Sequence, residues 1–188
     1  MLTILGLSFN TRNLGLAVVK YDLLVEYRSR LHKEKWTSQK REMILTSLVT
    51  CIEAYTIQKI TLSIPNQIHQ TAEFTELMRT IIALAQMRNI EVITYTGQDL
   101  FLFIPDSQKK TQKEFMKHLV FLYPELQSWY EKEVHNKSKY YHKMFEAIGV
   151  ATLIRERLGS GGVSKKARDY FYDLLPFAFH PSIIFLVI

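Results

Sequence analysis

Leu2-Thr3-Ile4-Leu5-Gly6-Leu7-Ser8-Phe9-Asn10-Thr11-Arg12-Asn13-Leu14-Gly15-Leu16-Ala17-Val18-Val19 sets two apolar runs on either side of a polar turn. The first run is almost continuously apolar, as in a strand buried on both faces at the centre of a sheet. Asn10, Asn13 and Gly15 tolerate turn geometry, so 2–8 and 14–20 are read as strands joined by a short connection. A third strand follows over 24–33. Its Glu26, Arg28 and Arg30 share one face by the period of two, which makes that face wet and places the strand near a sheet edge. Short turns between all three imply an antiparallel meander. The polar turn closing a buried central strand makes Ser8 to Asn13 the first candidate site.

Downstream the pattern alternates. Thr37 or Ser38 caps a helix whose apolar stripe is Met43, Ile44, Leu48, Val49 and Ile52. Residues 59–65 read as a strand that Pro65 stops. Phe74, Leu77, Met78, Ile81, Ile82 and Ala85 mark a second helix, Asn89 its closing turn, and 91–95 a fifth strand. The fold class is therefore α/β, with a mixed five-stranded sheet made of a three-strand antiparallel meander plus two parallel strands, flanked by helices. From Gly97 on the signals are helical: 98–104, a basic amphipathic stretch at 109–122, 124–134, and 141–158. The last carries Met144, Phe145, Ile148, Val150, Ala151, Leu153 and Ile154 around much of its circumference, which implies burial on more than one side. Gly159-Ser160-Gly161-Gly162 ends it and serves as a hinge. Residues 1–158 are thus one domain. Residues 159–188 form an extension rich in aromatics (Tyr170, Phe171, Tyr172, Phe177, Phe179) that packs on the domain or on a partner, the partner case giving a homodimer.

Composition narrows the function classes. At 188 residues, 47% hydrophobic and 22% charged, the chain supports one real core and is not disordered. Its one cysteine, Cys51, allows no internal disulfide, so a reducing cytoplasmic setting is expected. The net charge of +6 and pI near 9.3 favour an anionic partner, nucleic acid before a membrane surface. No secretory leader pattern is evident, and the apolar run at 182–188 is too short to span a bilayer; a soluble protein with no membrane partner is expected.

Three ordered motifs carry a resemblance. Ile4-Leu5-Gly6-Leu7-Ser8-Phe9-Asn10-Thr11-Arg12-Asn13-Leu14-Gly15 is similar to a first strand ending in Gly-x-Asp-Pro-Gly-x-x-x-x-Gly, with Gly6, Thr11 and Gly15 in register. Lys109-Lys110-Thr111-Gln112-Lys113-Glu114 looks like a basic Lys-Glu segment opening the helix after the fifth strand. His142-Lys143-Met144-Phe145-Glu146-Ala147-Ile148-Gly149-Val150-Ala151 is similar to a closing Asp-Ala-Leu-Ala-type helix. Together with the element order, over about residues 1–158, the chain resembles the RuvC-like Holliday-junction resolvases of the ribonuclease H-like fold.

The resemblance implies a two-metal nuclease, and the residues depart from it. Two Mg²⁺ ions about 3.5–4 Å apart need bridging carboxylates. The aspartate position of the first strand holds Ser8. The glutamate position at the end of the fourth strand falls in Leu62-Ser63-Ile64, where Ile64 is taken as equivalent. On the last helix only Glu146 is acidic, with Lys143 one turn earlier and His142 beside it; a lysine ammonium there repels a metal. His142 and Glu146, four apart, share a helical face and are candidate metal ligands. No cofactor is expected unless nuclease activity, and with it Mg²⁺, is retained. The expected function is a resolvase-like protein with a degenerate nuclease centre that binds branched or duplex DNA. The contacts would be Arg12, Asn13, Lys109, Lys110, Lys113, Lys117, Lys137, Lys139 and Lys143, directed at phosphates. The alternatives are an active Mg-dependent endonuclease with a rearranged site using Glu146, His142 and a loop aspartate (Asp99 or Asp106, Asp22 being at the wrong end of the meander), or a protein-interaction or dimerisation module.

Overall fold

The structure is a computed structural model that describes residues 2–66, 68, 70–105, 107–135 and 139–159, with the side chains of 156–159 excepted. The elements run β1 (Thr3–Phe9), β2 (Asn13–Lys20), β3 (Leu23–Leu31), α1 (Ser38–Tyr55), β4 (Lys59–Ile64), α2 (Ala72–Met87) and β5 (Glu91–Thr96). Then come a 3₁₀ turn (Asp99–Phe103), α3 (Gln112–Leu122), a 3₁₀ turn (Pro124–Leu126), α4 (Gln127–His135) and α5 (His142–Gly159). The sheet order is β3-β2-β1-β4-β5. β1–β2 and β2–β3 pair antiparallel, and β1–β4 and β4–β5 pair parallel. This is the mixed sheet expected of a ribonuclease H-like fold, with the apolar opening strand at its centre and the charged third strand at its edge. Every residue of β1 is buried.

Strand alternation sorts the core into two layers. Leu5, Leu7 and Phe9 of β1, Leu14, Leu16 and Val18 of β2, and Ile60, Leu62 and Ile64 of β4 face α1 and α2. The opposite face receives α5, whose wide apolar surface lies under the sheet on one side and against α3 on the other, as its sequence implied. Threonine side chains start three helices: Thr37, Thr71 and Thr111 each accept a hydrogen bond from the backbone N–H three residues on.

Four sequence expectations shift. Lys109 and Lys110 precede α3 rather than opening it, because Thr111 is the N-cap. β2 begins at Asn13, one residue ahead of the expected strand, and sets Gly15 opposite Ser8. Met43, expected on the buried stripe of α1, is 49% exposed, while Lys40 is buried at 3%. The stripe is Lys40, Ile44, Leu48, Cys51 and Ile52, one face at helical spacing that admits a lysine because its ammonium is fully hydrogen-bonded. Ile64 points into the α1–α2 core, so it is Ser63 that shares the α5 face of β4 with Thr61. Among the described residues no helix is long and apolar enough to cross a membrane. The expected hinge at 160–162, the aromatic extension, Lys137 and Asp106 lie outside the described residues.

Candidate functional site

β1, β4 and β5 run parallel, so their carboxyl ends share one edge of the sheet, the edge where open α/β sheets place ligands. Ser8 sits there, and its neighbours in the ladder are Gly15 on β2 and Ser63 on β4. The α5 helix crosses this edge at van der Waals limit. A Cβ on Gly6 would stand 2.0 Å from the Ala147 carbonyl oxygen, and one on Gly15 would stand 1.9 Å from that of Lys143. No real side chain fits at either distance, so the two glycines are what lets the first turns of α5 descend onto Ser8.

That descent assembles a polar cluster where α5 meets the end of β1. The Ser8 hydroxyl donates to Glu146 Oε2 at 2.5 Å. Lys143 Nζ donates to the same oxygen at 2.7 Å, and His142 Nε2 lies 2.9 Å from Oε1. Ser8 is fully buried, and Glu146 is 9% exposed. Burial by itself would raise the Glu146 pKa. The hydrogen bond from His142 and the charges of Lys143 and His142 more than offset it and lower the carboxyl to about 2. Glu146 is therefore ionised and has both oxygens engaged by the protein.

A pair of divalent ions does not fit this donor set. The cluster offers one carboxylate, two neutral serine hydroxyls and an imidazole, and the carboxylate already holds an ammonium. No group of three His, Cys, Asp or Glu able to hold a metal occurs among the described residues. The acids considered as substitutes serve elsewhere. Asp22 is in the β2–β3 turn, 3.6 Å from Arg155, and Asp99 accepts from the Thr96 backbone N–H and hydroxyl.

The basic residues expected to meet nucleic acid divide into two sets. Arg12 projects from the β1–β2 turn, exposed, and its side chain has no partner among the described residues. Lys109 lies exposed in the connection leaving the β5 edge; Lys113, Lys117 and Lys139 are also exposed, Lys117 with Glu114 at 3.9 Å. Lys110 is exposed in the same connection. Lys143 does not belong with them, because its ammonium is held on Glu146 with 18% of the side chain exposed. Asn13 is half-buried, with Oδ1 enclosed. Trp129 and Tyr141 pack edge-on with each other at 4.9 Å against the α5-side core.

The residue that sequence reading missed is Lys40. Nothing in a helical pattern marks a lysine as buried; the signal would have been its place on the stripe of Ile44, Leu48 and Ile52, one turn ahead of them.

No protein-family model matches the chain, and no curated protein matches it in sequence. Solved structures do. Thermus thermophilus RuvC in complex with a Holliday junction substrate is 11% identical with a TM-score of 0.63, covering 86% of this chain and 97% of that one. T. thermophilus RuvC in another structure is 11% identical with a TM-score of 0.62, covering 85% and 98%. Fowlpox virus resolvase, in complex with its Holliday junction DNA substrate, is 13% identical with a TM-score of 0.51, covering 84% and 99%. At these identities the likeness shows the fold: a RuvC-like resolvase fold, spanning nearly the whole of each relative.

Proposed function

We propose that this chain is a nucleic-acid-binding protein built on the resolvase fold, with its metal-dependent nuclease centre replaced by an internal ion pair. The observation that carries this reading is the Lys143 ammonium seated 2.7 Å from Glu146 Oε2, next to Ser8. A cation covalently part of the protein occupies the carboxylate that a metal would need. The pair activates no water and leaves no open coordination position, so hydrolysis of a phosphodiester through two ions has no starting point here.

Binding rests on different features. The related resolvases were captured on Holliday junctions, and this chain carries +6 net charge. Arg12 stands in the turn at the carboxyl end of β1, Lys109 and Lys110 are exposed in the connection before α3, and Lys113 and Lys117 follow along α3. Such groups contact phosphates and carry no base code, so the partner is branched or duplex DNA recognised by backbone and shape. Fluorescence anisotropy with a labelled four-way junction and a matched duplex, titrated from low to high salt, tests this. A steep, linear fall of log affinity with log salt is expected. Affinity absent at low salt, or indifferent to salt, would overturn the reading.

A further inference from the structure

We infer that Lys40 is a positioning residue for the nucleic-acid contacts of the β1–β2 turn, acting through the backbone that displays Arg12. The inference rests on the nucleic-acid reading above and names a part of its machinery outside the Ser8–Glu146 cluster. Lys40 is 3% exposed on α1, and its Nζ donates to three carbonyl oxygens: Thr11 at 2.8 Å, Glu34 at 2.7 Å and His32 at 3.2 Å. An ammonium has three protons, and each is used. No carboxylate pairs with it among the described residues, so the buried charge is compensated by backbone dipoles alone.

Those three carbonyls belong to two segments: Thr11 to the turn after β1, and His32 and Glu34 to the connection between β3 and α1. One side chain therefore ties them at the carboxyl edge of the sheet. The turn is held from within as well. Asn10 Oδ1 accepts from the Arg12 and Asn13 N–H groups at 2.8 and 2.7 Å, Asn10 N–H donates to Asn13 O, and His32 N–H donates to Arg12 O at 2.7 Å. Both backbone groups of Arg12 and the carbonyl before it are hydrogen-bonded, while its guanidinium is exposed and unpaired among the described residues. A cationic side chain displayed on so rigid a support loses little entropy on meeting a phosphate.

A buried lysine is a costly way to hold a loop, because burial disfavours its charge unless every proton is satisfied. Its burial also bears on its neighbour. His32 is 6% exposed, and burial first, then the charges of Lys40 and Arg30, lower its pKa, which keeps a second cation out of the clamp. Glu34 opposes that shift weakly, and Lys40 remains the single charge among the three carbonyls.

The test compares full-length wild type, Lys40→Met, Lys40→Arg, Arg12→Ala, Asn10→Ala and Lys40→Met/Arg12→Ala for four-way-junction binding across a salt series, each variant first shown to melt cooperatively. Arg12→Ala should weaken binding about threefold to tenfold and reduce the log–log salt slope by about one. Lys40→Met should reproduce both effects, and the double variant should be no weaker than Arg12→Ala alone. Asn10→Ala loosens the turn from its other side and should act in the same direction, which keeps the inference open to refutation if Lys40→Met does not fold. Lys40→Arg should restore part of the slope. Amide exchange at Asn13 and His32 should speed up in Lys40→Met. A folded Lys40→Met with wild-type affinity and slope, or a double variant whose losses add, would overturn the inference while leaving the nucleic-acid reading intact. A wild type that binds no junction at low salt would remove that reading and the positioning role together; faster exchange in Lys40→Met would then report a structural clamp only.

Discussion

Ser8 and Glu146 are 138 residues apart in the chain, and the serine hydroxyl donates to the glutamate carboxylate at 2.5 Å. The contact joins the central strand to the helix that lies across it. In a resolvase-like nuclease both positions would be acids held apart by metal. Here the serine hydroxyl, the Lys143 ammonium and the His142 ring engage one carboxylate, and the cluster closes on itself.

Removing Lys143 therefore leaves a buried carboxylate with only Ser8 and His142 to compensate it. Lys143→Met should destabilise the protein by about 3 kcal/mol, the scale for breaking one partner of a buried pair. Lys143→Met/Glu146→Met, which removes both charges, should recover most of that loss. Urea denaturation of the three proteins checks the prediction. Additive losses would mean that the pair does not act as a unit.

The acid limb of stability carries the same signature. A Glu146 pKa lowered to about 2, from an unfolded value near 4.5, stabilises the fold above about pH 4.5, and the contribution disappears as pH falls toward 2. It is on the order of 3 kcal/mol at neutral pH. Glu146→Gln should lose that stability at pH 7, and its difference from wild type should shrink steadily between about pH 4.5 and pH 2. Denaturation midpoints across that range would show it.

Glycine at positions 6 and 15 is required by the approach of α5. A methyl at either would meet backbone at 1.9–2.0 Å. Gly6→Ala and Gly15→Ala should each cost at least about 3 kcal/mol, the upper end of overpacking, by lifting α5 off the sheet. Gly97, with open space around its Cβ direction, is the control: Gly97→Ala should be nearly neutral. Thermal melts distinguish the two outcomes.

Metal affinity should be created by substitution rather than lost. Ser8→Asp/Lys143→Ala would set two carboxylates beside each other with no ammonium between them, an arrangement that favours a hard cation. Millimolar Mn²⁺ should raise the melting temperature of that variant and leave wild type unmoved. An equal shift in wild type would argue for a native ion site.

Most of the fold was legible because its signals are strong and local. A short apolar run bounded by turn residues reads as a buried central strand, and the wide apolar circumference of 141–158 implies burial on more than one side. The site was half legible. Glu146, His142 and Lys143 sit at spacings that put them on one helical face, and they do meet. The misassignment of Ile64 for Ser63 came from register: strand parity decides which of two adjacent residues faces the site, and parity is fixed only once β4 pairs with β1 with Ser63 opposite Ser8. Gly15 is read as tolerating turn geometry, whereas the reason for glycine there is the helix above it. Lys40 was invisible because the partners that make a buried lysine tolerable are carbonyl oxygens of distant loops, and backbone atoms leave no mark in a sequence.

The central claim, a resolvase fold that retains nucleic-acid binding while an ion pair replaces the nuclease centre, is tested most directly on one sample. Full-length protein is incubated with an end-labelled four-way junction in Mg²⁺ and, separately, Mn²⁺; the complex is scored on a native gel and strand integrity on a denaturing gel. The prediction is a salt-sensitive complex with every strand intact in both ions. Nicked strands that disappear in Glu146→Ala would contradict it.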